Sequence, residues 1–133
     1  MIKLLVGLML VLVNTGVRAE WTYVAISNSG SNNDYSMYID ITTVRKNNNL
    51  VKVWKLEDFK EAQDIGNKKF LSARSQEEVD CKEEQIRIRS IIWSKDNMAH
   101  GEVLGNYNKI SEWGPIPPNS MSDELLKFVC GKQ

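Results

Sequence analysis

Two cysteines, Cys81 and Cys130, restrict what this chain can fold into more than any other residues. They follow an N-terminal segment, 1–19, with the form of a secretory leader. Lys3 supplies positive charge, Leu4 to Val13 is apolar, and Val17-Arg18-Ala19 places small or apolar residues around a cut before Glu20. An exported chain reaches an oxidising compartment, where two cysteines with no third are most simply one disulfide, tying the middle of the domain to its C-terminal end. A catalytic redox pair needs its cysteines on one turn, so this pair is read as structural. Closing a loop of about 50 residues is worth roughly 4 kcal/mol in the chain-entropy model.

Removing residues 1–19 from 133 leaves 114, the size of a single domain spanning 20–133. Of 17 basic and 17 acidic residues, Lys3 and Arg18 leave with the leader, so the mature chain carries a net charge of −2. A chain so nearly neutral has no field to hold a nucleic acid, and that partner is excluded. The apolar part of the leader is shorter than the roughly 20 residues of a spanning helix, and no other segment qualifies. With no cysteine in the leader, lipid anchoring is not expected. The expected location is export to the periplasm or the cell surface.

Alternation of side-chain type dominates the mature chain and argues for strands. Trp21 to Ile26 reads as a first strand, followed by a polar loop from Ser27 to Asp34, and Tyr35 to Asp40 reads as a second. After a turn at Lys46-Asn47-Asn48-Asn49, Leu50 to Leu56 has apolar residues on both faces and is expected to be central. Glu57 to Lys69 is polar and reads as a long connection with a helical turn around Asp58 to Ala62, and with Gly66-Asn67 as a turn. Phe70 to Cys81, Glu84 to Ser94 and Gly101 to Tyr107 then form an antiparallel meander. In the second of these, Ile86, Ile88 and Ile92 share one parity, and Arg87, Arg89, Ile91 and Trp93 the other.

Pro115, Pro117 and Pro118 hold an extended approach to a C-terminal helix. Ser120 is its N-cap, Asp123 sits at the third helical position, and Gly131 is its stop. Met121, Leu125, Leu126, Phe128 and Val129 fall on one broad side. The fold class is therefore α+β: a small antiparallel sheet of about six strands, with the C-terminal helix packed on it and one disulfide fastening helix to strand.

No reaction can be read from these residues. His100, the single histidine, lacks a nucleophile or a patterned partner nearby and reads as a solvated loop residue. One histidine and two bonded cysteines cannot supply a zinc site, so neither metal nor other cofactor is expected. Asn33-Asp34 lacks the spacing of a calcium loop. The acids Glu77-Glu78, Asp80 and Glu83-Glu84 read as a solvated strand end and turn rather than a glycosidase pair. Trp54 and Trp93 sit where the pattern covers both strand faces and read as core. The better contact candidates are basic: Lys68-Lys69 with Arg74, and Arg87 with Arg89, whose ordinary alternative is a hydrated sheet face.

Several of these residues carry a resemblance. Tyr38-Ile39-Asp40, Val53-Trp54-Lys55-Leu56, Ala73-Arg74-Ser75 leading to Asp80-Cys81, Arg87 and Arg89, Trp93-Ser94, Gly101, the run Trp113 to Ser120, and Val129-Cys130 together resemble the surface-adhesin protein E family of Gram-negative bacteria. The resemblance implies a small antiparallel sheet with a disulfide-held C-terminal helix and a non-enzymatic role in adhesion to host matrix or plasma proteins. It also implies that Lys68-Lys69 occupies the place of a basic pair ahead of the Arg-Ser strand. The alternative reading is a periplasmic accessory protein, such as an enzyme inhibitor or an envelope-stress factor, with no adhesive role. A small hydrolase using His100 or Asp80 is the third.

Overall fold

The computed structural model describes residues 19–131. Apart from Ala19, the expected leader lies outside the described residues. Strands β1 (Trp21–Ile26), β2 (Tyr35–Asn47), β3 (Leu50–Ile65), β4 (Lys68–Asp80), β5 (Gln85–Ser94) and β6 (Val103–Tyr107) form one sheet. Each pairs antiparallel with its predecessor, and a two-residue strand β7 (Gly114–Pro115) pairs with β5. Helix α1 (Met121–Cys130) closes the chain.

The helical turn expected around Asp58 to Ala62 is absent, because β3 continues through it to Ile65. β2 begins opposite Phe59 and β5 ends opposite Ser72, so residues 60–65 and 68–71 form a two-stranded arm extending past both neighbours. Within it Gln63, Asp64 and Ile65 pair with Phe70, Lys69 and Lys68, and Gly66 turns the tip at φ +59°. Past an irregularity between Asp58 and Gln63 the outer part of the arm pairs across its strands while much of it faces water, so its polar composition marks exposure and not loss of strand.

Register assigns the sheet two faces. Met37, Ile39, Val51, Val53 and Val79 lie on one face and pack against Leu125, Leu126 and Val129 of α1. On the same face, farther along the strands, Phe59, Phe70 and Ala73 form a second cluster with Tyr35, Ile91 and Trp93 around it. Phe59 meets Phe70 edge-on at 5.7 Å and Tyr35 at 5.4 Å. Parity along β5 departs from simple alternation. Gln76 opposes Ser90 while Glu77 opposes Ile88, so Arg89 is an extra residue at a β-bulge. The bulge reverses the alternation, bringing Ile91 and Trp93 onto the helix face together with Ile86 and Ile88.

Helix α1 starts as its sequence requires. Ser120 Oγ accepts a hydrogen bond from the Asp123 amide at 3.1 Å, and Asp123 reaches back to the Asn119 amide at 2.9 Å. Gly131 ends it in the left-handed conformation at φ 67°. Phe128, expected on the apolar side, is exposed.

Cys81, immediately after β4, bonds Cys130 in the last turn of α1, with Cα atoms 5.7 Å apart. The bond joins the helix to the same sheet end that its apolar side covers. Reduction is expected to remove about 2–4 kcal/mol and to lower the thermal midpoint by roughly 10 °C. Melting followed with and without reductant checks this, and an unchanged midpoint would show that packing alone holds the helix.

Candidate functional site

The face away from α1 is covered differently. Across its middle run Tyr23, Tyr38, Leu56, Arg74 and Ile92, one from each of β1 to β5, and beside them Trp21, Asp40, Trp54 and Gln76. Tyr23 and Tyr38 meet edge-on at 5.7 Å. The segment 95–102 folds over one end of this face, and Trp113 lies against Arg87 toward the other. Its turn, Asn97–Ala99, holds Met98 and Ala99 at φ 55° and 61°, a conformation that side chains with a Cβ resist. Buried Ser72 and half-buried Asp58 hold it there: the Ala99 amide donates to Ser72 Oγ at 2.9 Å and the Met98 amide to Asp58 Oδ1 at 2.8 Å. Gly101, at φ +77°, lies so close to Asp96 that a Cβ would fall 2.3 Å from its carboxylate.

This hydrogen-bonded turn walls a groove of about 510 Å³ with Ala19, Trp21, Arg74 and His100. An adjoining space of about 220 Å³ lies among Trp21, Asp40, Trp54, Arg74 and Ile92. Arg74 borders both. Its Nε is buried without a hydrogen-bond partner, and among the described residues no ion pair holds its guanidinium. A half-buried cation that lines one groove with two indoles is equipped to meet an anionic or aromatic group from outside. Trp54, read from the pattern as core, is half-buried and lines this groove, whereas half-buried Trp93 packs beside the second apolar cluster.

The other basic candidates lie elsewhere. Lys68 and Lys69 are exposed at the tip of the β3–β4 arm, where Lys69 pairs with equally exposed Asp64. Arg87 and Arg89 both bind one carboxylate, Glu78, which is 7% exposed, and Arg87 also lies 4.5 Å over the Trp113 ring. The five residues are therefore not one patch: two mark the arm tip, one the groove, and two a structural ion cluster. His100 is exposed at the groove's rim, and Asp80 accepts from the Lys82 and Glu83 amides to shape the β4–β5 turn.

Glu77 and Glu78, expected as solvated, are buried at 3% and 7% exposure. Glu77 lies on the helix face, where Lys55 Nζ sits 3.1 Å from both its carboxylate and that of Glu57. Burial raises the Glu77 pKa against the pull of Lys55. Burial also opposes the charge on Lys55, but the Glu77 and Glu57 carboxylates outweigh it and hold the ammonium protonated. The overlooked signal was parity: Lys55 and Glu57 continue the alternation of Val51 and Val53, so a base and an acid stand inside an apolar stripe. Among the described residues no group of three or more His, Cys, Asp or Glu side chains is gathered as a metal site would require.

Glu78 has the opposite balance. Burial would raise its pKa, but the Arg89 and Arg87 hydrogen bonds and charges prevail and hold it below the usual carboxylate range. Such a group stabilises the fold above its unfolded pKa, near 4.5, and that contribution is lost as pH falls through the lower folded value. Glu78→Gln is expected to cost about 2 kcal/mol at neutral pH and to flatten the decline in stability below pH 4.5. Denaturant melts across pH test it, and an acid limb as steep as that of the unmodified chain would place the sensitivity elsewhere.

Among the described residues no helix is long and apolar enough to cross a membrane. Among curated proteins no sequence matches the chain. Solved structures do. Crystal form II of Haemophilus influenzae protein E superposes with a TM-score of 0.64 at 14% identity, over 88% of this chain and 91% of that one. A second structure of the same protein gives 0.62 at 14% identity, covering 88% of each chain. Protein E from non-typeable Haemophilus influenzae gives 0.61 at 13%, covering 88% of this chain and 79% of that one. At these identities the likeness establishes the fold, a sheet with a C-terminal helix. The model of the surface-adhesin protein E family matches residues 21–131, nearly all that the structure describes, and the chain belongs to that family.

Proposed function

We propose that this chain is an exported, non-enzymatic binding module that holds a protein partner, a host matrix or plasma protein or another envelope protein, on the sheet face away from α1. The single observation that carries this reading is Arg74, a half-buried guanidinium without an ion-pair partner among the described residues, lining one groove with Trp21 and Trp54 on a face that the helix does not cover. Aromatic and arginine side chains are the usual anchors of protein interfaces, and a rigid wall beside them limits the ordering cost of binding. Lys68 and Lys69 at the arm tip add a basic contact reaching beyond the sheet. Arg87 and Arg89, both engaged by Glu78 farther along the same face, tie β5 to β4. Membership of a surface-adhesin family agrees with binding rather than turnover.

A screen of the purified mature chain against matrix, plasma and envelope proteins is expected to give a partner whose affinity weakens with added salt. Replacing Lys68, Lys69 and Arg74 together by Gln should lower that affinity about tenfold or more, about 1.4 kcal/mol, and flatten the salt dependence. Unchanged affinity in the triple variant would refute the assignment of the face. Protease treatment of intact cells decides location: cleavage fits surface display, and full protection would place the chain in the periplasm as an accessory protein.

A further inference from the structure

We propose that the gap between the two apolar clusters on the helix-covered face is a binding site for an organic cation, an ammonium or guanidinium group carried on an apolar stem. The gap is a pocket of about 350 Å³, within the range that takes small ligands. Its walls are apolar: Phe70, Ile88, Ile91 and Trp93 come from β4 and β5. Its floor is charged, with Lys55, Glu57 and Glu77, and Tyr35 stands beside them. Ser122 in the first turn of α1 forms part of the rim.

Charge decides the class of occupant. One ammonium, on Lys55, serves two carboxylates, each 3.1 Å away. Two carboxylates thus share a single ammonium, and burial works against charge on Glu77; a second cation supplies the countercharge that would let both carboxylates ionise, whereas an anion supplies none. Lys55 and Glu77 side chains are 9% and 4% exposed and form the deep part, while Glu57, at 26%, turns part of its carboxylate outward. Tyr35 remains a neutral phenol at physiological pH: burial, then the nearby Glu57 charge, pushes its pKa up to about 12. The Trp93 indole on the wall provides the preferred ring type for a cation passing over it. A hydrated ammonium without a stem would leave those walls empty, which favours a cation with an apolar arm. The site lies on the opposite face from the proposed partner-binding groove and stands independently of it.

The test is NMR titration of the mature chain with two probes, N-acetylarginine methylamide for a basic side chain of a protein and spermidine for a free polyamine, with benzoate as the anionic control. Expected are saturable shifts of the Trp93 indole and of the Ile88 and Ile91 methyls, with Kd of about 1 mM or tighter for at least one cation, and none with benzoate. The tighter probe identifies the source. Glu57→Gln, at a half-exposed position, should weaken binding about tenfold. Ser122→Phe, which crowds the mouth without altering the charges, should also weaken it and covers the case in which the first variant fails to fold. Absence of shifts at these groups, equal response to benzoate, or full binding by a folded variant of either kind would overturn the proposal.

Discussion

Pairing between β3 and β4 is the constraint on which the rest of the structure depends. Leu50 to Asp58 and Ser72 to Asp80 align without a break, and this register decides which residues of the two central strands share a face. Val51, Val53 and Val79 thereby reach α1, while Trp54 and Arg74 reach the opposite side. A slip of one residue would exchange the two sets and put valines in the groove and a guanidinium under the helix. The alternative register is thus penalised twice, by lost burial and by an unpaired buried charge.

Both polar assemblies in the sheet follow from this arrangement. Glu77 and Glu78 are neighbours in sequence and therefore face opposite ways, and each meets cations on its own side. On the helix side one lysine serves two carboxylates; on the other, one carboxylate serves two arginines. The bulge at Arg89 permits the second arrangement, because an extra residue lets Arg87 and Arg89 both converge on Glu78. By formal count the opposite imbalances of the two assemblies cancel in the net charge, which is why composition alone is silent about either.

Local rules made much of the fold legible. Two cysteines in an otherwise thiol-free chain specified one crosslink, Ser120 and Gly131 bounded the helix, and alternation located the strands. What alternation missed has physical causes. The arm from Lys60 to Phe70 has little to pack against near its tip, so no apolar stripe records its extended shape. The bulge at Arg89 changes parity without leaving a mark in residue type. Of the candidate site, the basic residues were legible as residues, but their separation into arm tip, groove and ion cluster depends on strand register and on long-range pairs. Glu77 and Glu78 looked solvated because two adjacent acids usually are, and their partners lie on other strands.

In the six-strand meander each strand pairs with the one before it, yet the covalent bond waits for the last element. A growing or translocating chain can add strands in order as they emerge, each closure being local and entropically inexpensive. Cys81 reaches its place at the end of β4 well before Cys130 exists to meet it. Oxidation therefore reports that α1 has been made: a chain cut anywhere before Cys130 lacks both the partner thiol for Cys81 and the turn of helix that would cover the sheet end. The crosslink thus distinguishes molecules that carry α1 from those that lack it, as well as stabilising them.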